Sequence, residues 1–297
     1  MRVAIATTTS RPGAVADNLD QIARFAARAG ADGVDLLLTP EMSASGYGPD
    51  ADTLATAEPA GDGPIFRDLA MSARRSGVVI CAGFVETGDG GKLHLSHYAV
   101  FPDGRHVVQR KHRVTLYERP LEPGLPLIPP GPNHPACAPE DPGQPPNPVF
   151  NYFEVKGVRC ALVICFDGGI QELNELLMRD SVDLVLCPCG AGGRREDRVV
   201  TDELRTPEGR DTYCREMERL HYPGSHGVKN CLVYRRAFAA VDMCGHDGRG
   251  RHHVGFGSIV TAMGEIAAVV PGQPNLDRQR PRYAFAEIDF DERLDFD

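Results

Sequence analysis

Long hydrophobic runs are missing from this 297-residue sequence, which has no stretch near the roughly 20 apolar residues that a membrane helix needs. An excess of positive charge is missing as well, because 32 lysines and arginines stand against 41 acids, for a formal net charge of −9. Binding to a nucleic-acid backbone requires a basic face, so the composition argues against that function. We therefore expect a cytoplasmic protein that binds neither a membrane nor a nucleic acid and whose partner is a small organic substrate or another protein.

A regular pattern of paired cysteines is also missing, since the nine cysteines are odd in number and scattered along the chain. Several lie inside apolar runs, which is typical of reduced intracellular thiols and argues against a disulfide framework. A zinc site is an alternative hypothesis, built from Cys187, Cys189, His246, His252 and His253. A C-x-C pair without a second close pair matches the spacing of zinc sites poorly, so we expect no metal.

Short apolar runs and stretches of helical periodicity alternate along the chain. Strands are predicted at 3–7, 34–39, 78–84, 98–101, 106–110, 160–165, 182–187, 232–243, 257–262, 265–270 and 283–290, and helices at 15–29 and 170–179. A strand, a helix and a strand in succession indicate a crossover between parallel strands, and Asp103-Gly104 indicates a hairpin. The pattern predicts a single α/β domain over residues 1–297.

Two segments interrupt this alternation, and we expect both to be excursions on the surface of the domain. The first, at 119–148, is dense in proline, and the second, at 193–228, is rich in arginine and acids. Because the second follows a predicted strand closely, we expect it to shape substrate choice and to form a subunit contact. A solvated, salt-bridged surface helix around 208–220 is the competing interpretation.

Three residues of catalytic type lie at the carboxyl ends of predicted strands, namely Glu41, Lys111 and Cys165. In open α/β sheets ligands bind outside these strand ends, so we expect the three side chains to converge. A thiol needs a base or a cation to become a nucleophile. We expect Glu41 to take the thiol proton and later to activate water, and Lys111 to stabilise an oxyanion together with the backbone N–H of Phe166.

Each of the three residues also has an ordinary structural interpretation. A cysteine that ends an apolar strand is usually a packed core thiol. A glutamate after a proline is often an exposed loop acid, and a lysine after a hairpin strand is usually solvated. The residue types alone therefore do not distinguish a catalytic role from a structural one. The sequences around the three residues are needed for that distinction.

Three local motifs surround these residues. Residues 40–47 read PEMSASGY, residues 109–124 read QRKHRVTLYERPLEPG, and residues 157–172 read GVRCALVICFDGGIQE. In their order and spacing they resemble the three motifs of the carbon-nitrogen hydrolase (nitrilase-like) superfamily, and residues 255–265 resemble its late hairpin. The resemblance covers nearly the whole chain.

The resemblance implies a fold and a set of catalytic residues. The fold is a four-layer αββα sandwich, and the catalytic triad is Glu41, Lys111 and Cys165. Glu118 resembles the second glutamate that many amidases of this family place beside the lysine. The resemblance also implies that the protein uses neither a metal nor an organic cofactor and forms homo-oligomers.

The residues around the nucleophile indicate the reaction. We expect Tyr47, Phe166 and Asp167 to contact the substrate. Asp167-Gly168 resembles the corresponding turn of aliphatic amidases and formamidases more than the tryptophan-bearing turn of true nitrilases. The expected function is cysteine-dependent hydrolysis of the non-peptide C–N bond of a small amide or N-carbamoyl compound through a thioester. The alternatives are a nitrilase acting on a small nitrile and a catalytically silent binding or structural subunit.

Overall fold

Two six-stranded β-sheets packed face to face form the centre of the protein, with α-helices on both outer faces. The computed structural model describes residues 1–115, 118–124, 149–190, 192–194, 206, 208–209, 229–247, 251–273 and 279–291. Within them the α-helices are α1 (Val15–Ala31), α2 (Ala51–Leu54), α3 (Pro64–Ser76) and α4 (Gln171–Arg179). The strands are β1 (Arg2–Ala6), β2 (Leu36–Leu38), β3 (Val79–Thr87), β4 (Leu93–Val100), β5 (His106–Arg110), β6 (Phe153–Val155), β7 (Val158–Leu162), β8 (Leu184–Pro188), β9 (Gly192–Arg194), β10 (Ala237–Val241), β11 (Cys244–His246), β12 (Arg251–Val254), β13 (Gly257–Val260), β14 (Ile266–Val270) and β15 (Tyr283–Glu287).

The strand order brings several strand ends to common edges. The first sheet has the order β15-β1-β2-β3-β4-β5 and the second β14-β13-β10-β8-β7-β6, while β11, β12 and β9 form a small third sheet. In the first sheet β2 and β3 are parallel, and two antiparallel steps through β4 give β5 the same direction. In the second sheet β7, β8 and β10 are parallel. The residues that follow β2 and β5 therefore emerge at one edge, as do those that follow β7 and β8.

Alternating side chains along the strands explain the four layers. In β1, Val3 and Ile5 lie in the core between the sheets, whereas Ala4 and Ala6 pack with α1 and α3. Strands β7 and β8 divide their side chains in the same way between the central core and the α4 side. Because both faces of each sheet are covered, these strands are hydrophobic almost throughout.

Helices α1 and α3 can cover the first sheet together because a glycine lies at their contact. Leu19, Ile22 and Ala26 recur at helical spacing and form the buried face of α1. A Cβ atom at Gly30 would lie 2.4 Å from the carbonyl oxygen of Ser76 at the end of α3. Only a residue without a side chain allows this approach.

The four-layer αββα sandwich is confirmed, and so are the parallel β1–α1–β2 unit and the β4–β5 hairpin. The sequence patterns did not predict α3, β6 or the third sheet. The strand predicted at 232–243 is wrong in its first half, because Lys229–Val233 forms a π-helical turn and only Ala237–Val241 pairs in the sheet. The backbone N–H of Arg236 donates to the carbonyl of Asn230, which closes that turn.

Most of the two expected excursions falls outside the described residues. Only 119–124 of the first, and 193–194, 206 and 208–209 of the second, are described. The helix predicted around 208–220 stays a prediction. None of the helices in the described ranges combines the length and the apolar character that a membrane crossing requires.

Candidate active site

Glu41 lies in a turn directly after β2, between the two sheets. Met42 has a left-handed φ of 50°, and a Cβ atom at Gly83 would lie only 2.2 Å from the backbone nitrogen of Met42. Glycine is therefore required for β3 to pass this turn. The backbone N–H of Glu41 donates to the carbonyl of Cys189 in the second sheet at 3.3 Å. These contacts fix a glutamate whose side chain is fully buried.

Lys111 follows β5 and lies at the centre of a buried charge cluster. Its Nζ is 2.6 Å from Oε1 of Glu41 and 2.6 Å from Oε1 of Glu118, and none of the three side chains is exposed. The N–H of Lys111 donates to the carbonyl of Leu95, and the N–H of Gly124 donates to the carbonyl of Lys111, both at 2.8 Å. The ammonium group is thus held between two carboxylates by a fixed main chain.

The two glutamates differ in how fully their oxygens are used. Oε2 of Glu118 accepts the backbone N–H of Thr115 at 2.7 Å, and its Oε1 also accepts the hydroxyl of Tyr47 at 3.2 Å. Oε2 of Glu41 has no hydrogen-bond partner in the part of the chain that the structure describes. Both oxygens of Glu118 therefore accept hydrogen bonds from neighbouring groups, whereas Glu41 keeps one oxygen that can accept a proton.

The cluster changes the acid–base properties of its members. Burial raises the pKa of Glu41 well above its ordinary value, Cys165 adds to the rise, and Lys111 opposes it. Burial by itself lowers the pKa of Lys111, but Glu41, Cys165 and Glu118 outweigh burial and raise that pKa well above its ordinary value. The lysine is consequently a permanent cation near neutral pH, and Glu41 is a stronger base than an exposed glutamate.

Cys165 begins a 3₁₀ turn, Cys165–Gly169, shortly after β7 ends. Its φ of 51° lies in the left-handed region, which is strained for a residue with a side chain and is concentrated at functional sites. A hydrogen bond to Cys189 and burial raise the pKa of the Cys165 thiol well above its ordinary value, and Lys111 opposes them. The resting side chain is therefore a thiol, which needs a base before it can attack.

Two further cysteines lie beside Cys165 where β8 ends. The thiols of Cys189 and Cys165 are hydrogen-bonded, and Sγ of Cys187 lies 3.8 Å from Sγ of Cys189 and 3.8 Å from the carbonyl oxygen of Cys165. Among the described residues, no three His, Cys, Asp or Glu side chains are arranged to hold a metal. The Cys-Pro-Cys sequence at a strand end is a usable signal for this thiol cluster, which the metal interpretation of the same residues does not predict.

Asp167 is buried beside the chain that follows Lys111. Its Oδ2 accepts the backbone N–H of His112 and its Oδ1 that of Arg113, both at 2.8 Å. Burial raises the pKa of Asp167 to about 7, although these hydrogen bonds and Lys111 oppose the rise. Both oxygens are thus engaged by the main chain, which makes Asp167 a positioning residue for the lysine segment. The expected contact of Asp167 with substrate stays a prediction.

Phe166 lies at the mouth of a groove next to the cysteine. Its side chain is 48% exposed, and the guanidinium of Arg113 lies 4.8 Å from its ring centroid. The groove has a volume of about 840 Å³, and its other walls are residues 112–115 and 119–123. Apolar side chains from these walls pack in the same cluster as Cys165. The groove therefore lies next to the site, although none of Cys165, Glu41 and Lys111 lines it.

Tyr47 links the charge cluster to the third sheet. Besides bonding Glu118, it makes an edge-on contact with His253 of β12, with ring centres 5.7 Å apart. A Cβ atom at Gly190 would lie 2.4 Å from the Tyr47 ring and 2.8 Å from Oε2 of Glu41. The sequence motifs did not predict Gly190 or His253, because their contacts join segments that are distant along the chain.

Comparisons with known proteins identify the family. Residues 2–227 match the family model of the carbon-nitrogen hydrolases. A protein of Pseudomonas protegens, described as a hydrolase in the pqqF 5′ region, is 26% identical over 249 residues, which cover 82% of this chain and 80% of that protein. An (R)-stereoselective amidase of a Pseudomonas species is 26% identical over 191 residues, which cover 64% of this chain and 60% of that protein.

Solved structures share the fold. An amidase from Nesterenkonia sp. aligns with a TM-score of 0.69 at 20% identity, covering 96% of this chain and 89% of that chain. A variant of the Nesterenkonia amidase, with acrylamide added at its active-site cysteine, aligns with a TM-score of 0.70 at 19% identity, covering 97% and 93%. At this level of identity the likeness shows a common architecture. On the family match, the chain belongs to the carbon-nitrogen hydrolase family and is a hydrolase of C–N bonds other than peptide bonds.

Proposed function

We propose that the protein hydrolyses a small amide or N-carbamoyl compound through a thioester on Cys165. The observation that carries the proposal is the buried cluster in which Lys111 lies 2.6 Å from both Glu41 and Glu118, within electrostatic reach of the thiol. Burying three charged groups is a poor way to gain stability, because desolvation offsets the attraction between them. Their position beside a strained cysteine supports a catalytic role instead.

The first half-reaction forms the thioester. Oε2 of Glu41 takes the thiol proton as Cys165 attacks the amide carbon. The ammonium of Lys111 and the backbone N–H of Phe166 stabilise the oxyanion of the tetrahedral intermediate. When the intermediate collapses, Glu41 gives its proton to the nitrogen, the C–N bond breaks and the amine leaves.

The second half-reaction releases the acid. Glu41 takes a proton from a water molecule, which attacks the thioester carbon, and the same ammonium group again stabilises the oxyanion. The thiolate then leaves and recovers its proton from Glu41. Glu118 supports both halves, because its hydrogen bonds with Thr115, Tyr47 and Lys111 hold the cation at one place.

The substrate class is supported by the similar proteins. One of them is described as an (R)-stereoselective amidase, and a structure of the Nesterenkonia amidase is a complex with butyramide. A groove of about 840 Å³ beside Phe166 is large enough for compounds of this size. Short aliphatic amides are therefore the first substrates to assay, with N-carbamoyl compounds and small nitriles as comparators.

The decisive experiment combines an activity screen with trapping of the intermediate. Wild-type protein should hydrolyse at least one amide or N-carbamoyl compound, and acid quenching during turnover should reveal an acyl group on Cys165 by mass spectrometry. Cys165→Ala should abolish both signals. Cys160→Ala is the matched control, because it removes an equally small thiol from the core between the sheets and should leave turnover intact.

Three outcomes would contradict the proposal. Near wild-type hydrolysis by Cys165→Ala would exclude the cysteine mechanism. Turnover of nitriles alone would replace the amide assignment with a nitrilase. Complete inactivity on all three compound classes, together with iodoacetamide labelling of Cys165 no faster than that of other cysteines, would favour the silent binding subunit.

A further inference from the structure

A second thiol is in direct contact with the nucleophile. The side chains of Cys165 and Cys189 are hydrogen-bonded to each other, and Sγ of Cys187 lies 3.8 Å beyond Sγ of Cys189. The amide reaction described above requires only one of these three sulfurs. A buried thiol at position 189 packs like a small apolar side chain, but its place beside Cys165 also gives it a redox partner.

The surroundings give the two sulfurs different access to solvent. Cys165 is partly exposed, whereas Cys189 is only 3% exposed. The main chain of Cys189 is held on both sides, because its N–H donates to the carbonyl of Val241 at 2.8 Å and its carbonyl accepts the N–H of Glu41 at 3.3 Å. Cys165 is therefore the more accessible of the two residues, and Cys189 is held at a fixed position next to it.

We propose that Cys165 and Cys189 form a site of reversible oxidative modification, in which a hydroperoxide oxidises the nucleophile and Cys189 captures it as a disulfide. The inference rests on the proposed function in one respect, namely that Cys165 is the reactive thiol. Cys189 is the resolving thiol because it contacts Cys165 side chain to side chain, whereas Cys187 reaches only the carbonyl oxygen of Cys165.

The chemistry balances with a hydroperoxide as the only co-reactant. Glu41 takes the thiol proton as the sulfur of Cys165 attacks the peroxide, and the O–O bond breaks. The proton then passes to the departing oxygen, so the products are a sulfenic acid on Cys165 and water or an alcohol. The sulfur of Cys189 then attacks the sulfenic sulfur, an S–S bond forms, and the hydroxyl leaves as water with the thiol proton of Cys189. Two thiols are oxidised and one peroxide is reduced. A small thiol restores both cysteines by exchange at the sulfur of Cys165, which belongs to the more accessible of the two residues.

The disulfide would protect the enzyme from permanent loss of its nucleophile. A sulfenic acid without a neighbouring thiol is oxidised further to a sulfinic acid, which thiols do not reduce. Capture by Cys189 competes with that step because the two sulfurs start in contact. The protein would then be inactive under oxidising conditions and active again after reduction.

The test compares wild type, Cys189→Ser and Cys187→Ser after a pulse of hydrogen peroxide. In wild type, peptide mapping without reduction should find Cys165 joined to Cys189, with a mass loss of about 2 Da. Dithiothreitol should restore most of the activity, measured relative to each untreated protein. Cys189→Ser should accumulate the sulfinic acid on Cys165, a gain of about 32 Da, and recover less than about a tenth of its activity. Cys187→Ser should behave like wild type.

Three results would overturn the inference. The first is a wild-type peptide map in which Cys165 forms no disulfide. The second is a disulfide found only between Cys187 and Cys189. The third is equal recovery of activity by Cys189→Ser and wild type after reduction. Peptide mapping of the wild-type protein depends neither on a folded variant nor on amide turnover. It therefore tests the disulfide independently of the proposed amide hydrolysis. A link in a protein that hydrolyses no amide refutes only the proposed function, whereas turnover without a link refutes only this inference.

Discussion

The two sheets contribute opposite kinds of chemistry to the site. The first sheet supplies Glu41 and Lys111, with Glu118 from the segment after β5, and all three are buried and ion-paired. The second sheet supplies Cys165, which is partly exposed, next to the buried thiol of Cys189. We call Glu41, Lys111 and Glu118 the charged side of the site. These residues also affect stability, because an unpaired charge in the interior is costly. The thiols of the second sheet carry no charge at rest.

This contrast leads to a general expectation for substitutions. Changes on the charged side should damage both activity and stability, while removal of the Cys165 thiol should damage activity alone. The four predictions that follow challenge this distinction, in order of decreasing effect.

Lys111→Met should produce the largest combined loss. It removes the oxyanion cation, which should lower turnover by at least about a hundredfold. It also leaves Glu41 and Glu118 buried without a cation, which should lower the free energy of unfolding by about 3–5 kcal/mol. Urea unfolding and amide hydrolysis measure the two effects. Cys165→Ala is the control, and equal unfolding free energies for the two variants would remove the distinction between the sheets.

Glu41→Gln should lower turnover by about a hundredfold to ten-thousandfold, because it removes the general base with little change of shape. The base must be ionised to accept the thiol proton, so the kcat/KM of wild type should rise as pH increases through the pKa of Glu41. Burial places that pKa above the ordinary glutamate value. A pH profile of kcat/KM measures the effect. If Glu41→Gln showed the same loss of kcat/KM at low pH as wild type, a group other than Glu41 would be responsible for that loss.

Asp167→Asn should cost about 1–3 kcal/mol of unfolding free energy, because an amide replaces an acceptor that takes two backbone N–H groups. Activity should fall as well, since the chain after Lys111 loses its support. Asp183→Asn is the matched control, because Asp183 accepts the backbone N–H of Arg159 at 2.9 Å away from the charge cluster. A similar loss of turnover in both variants would argue against a positioning role for Asp167.

Arg110→Met should have the smallest effect, although Arg110 is the immediate neighbour of Lys111. Its pair with Glu86 at 2.6 Å is partly exposed, with 36% of the arginine side chain accessible. Solvent screens the arginine end of the pair, and the buried Glu86 keeps the Ser96 hydroxyl as a donor, so the loss of unfolding free energy should be about 1 kcal/mol. Thermal unfolding and kcat measure the effect, and turnover should stay within about twofold of wild type. A large loss of turnover would extend the catalytic charge network to the Arg110–Glu86 pair.

Local sequence patterns were sufficient for much of the fold. Apolar runs and helical periodicity predicted β1, α1, β2 and the β4–β5 hairpin, because the alternation of buried and exposed side chains is a property of each segment alone. Helix α3 was not predicted, and neither was the break that Arg236 makes before β10. The signals for α3 are local and were missed, because Ile65, Leu69 and Ala73 recur at helical spacing. The break depends on a partner outside the strand, since the side chain of Arg236 bonds that of Asn230.

The sequence by itself determined which residues are the candidates for the chemistry. Glu41, Lys111 and Cys165 occur in recognisable motifs at strand ends, and parallel strands bring such ends to a common edge. Their motifs also indicated Glu118, which the structure brings to the lysine. These features were accessible because each motif is contiguous in the chain.

Only the tertiary structure decided how those residues are used. It left one oxygen of Glu41 without a hydrogen bond among the described residues, engaged both oxygens of Asp167 with the main chain and brought the thiol of Cys189 to Cys165. Each outcome depends on atoms of segments that are distant in sequence. Hydrogen bonds and thiol contacts form over distances of 3–4 Å, which no sequence pattern specifies until the two sheets have packed together.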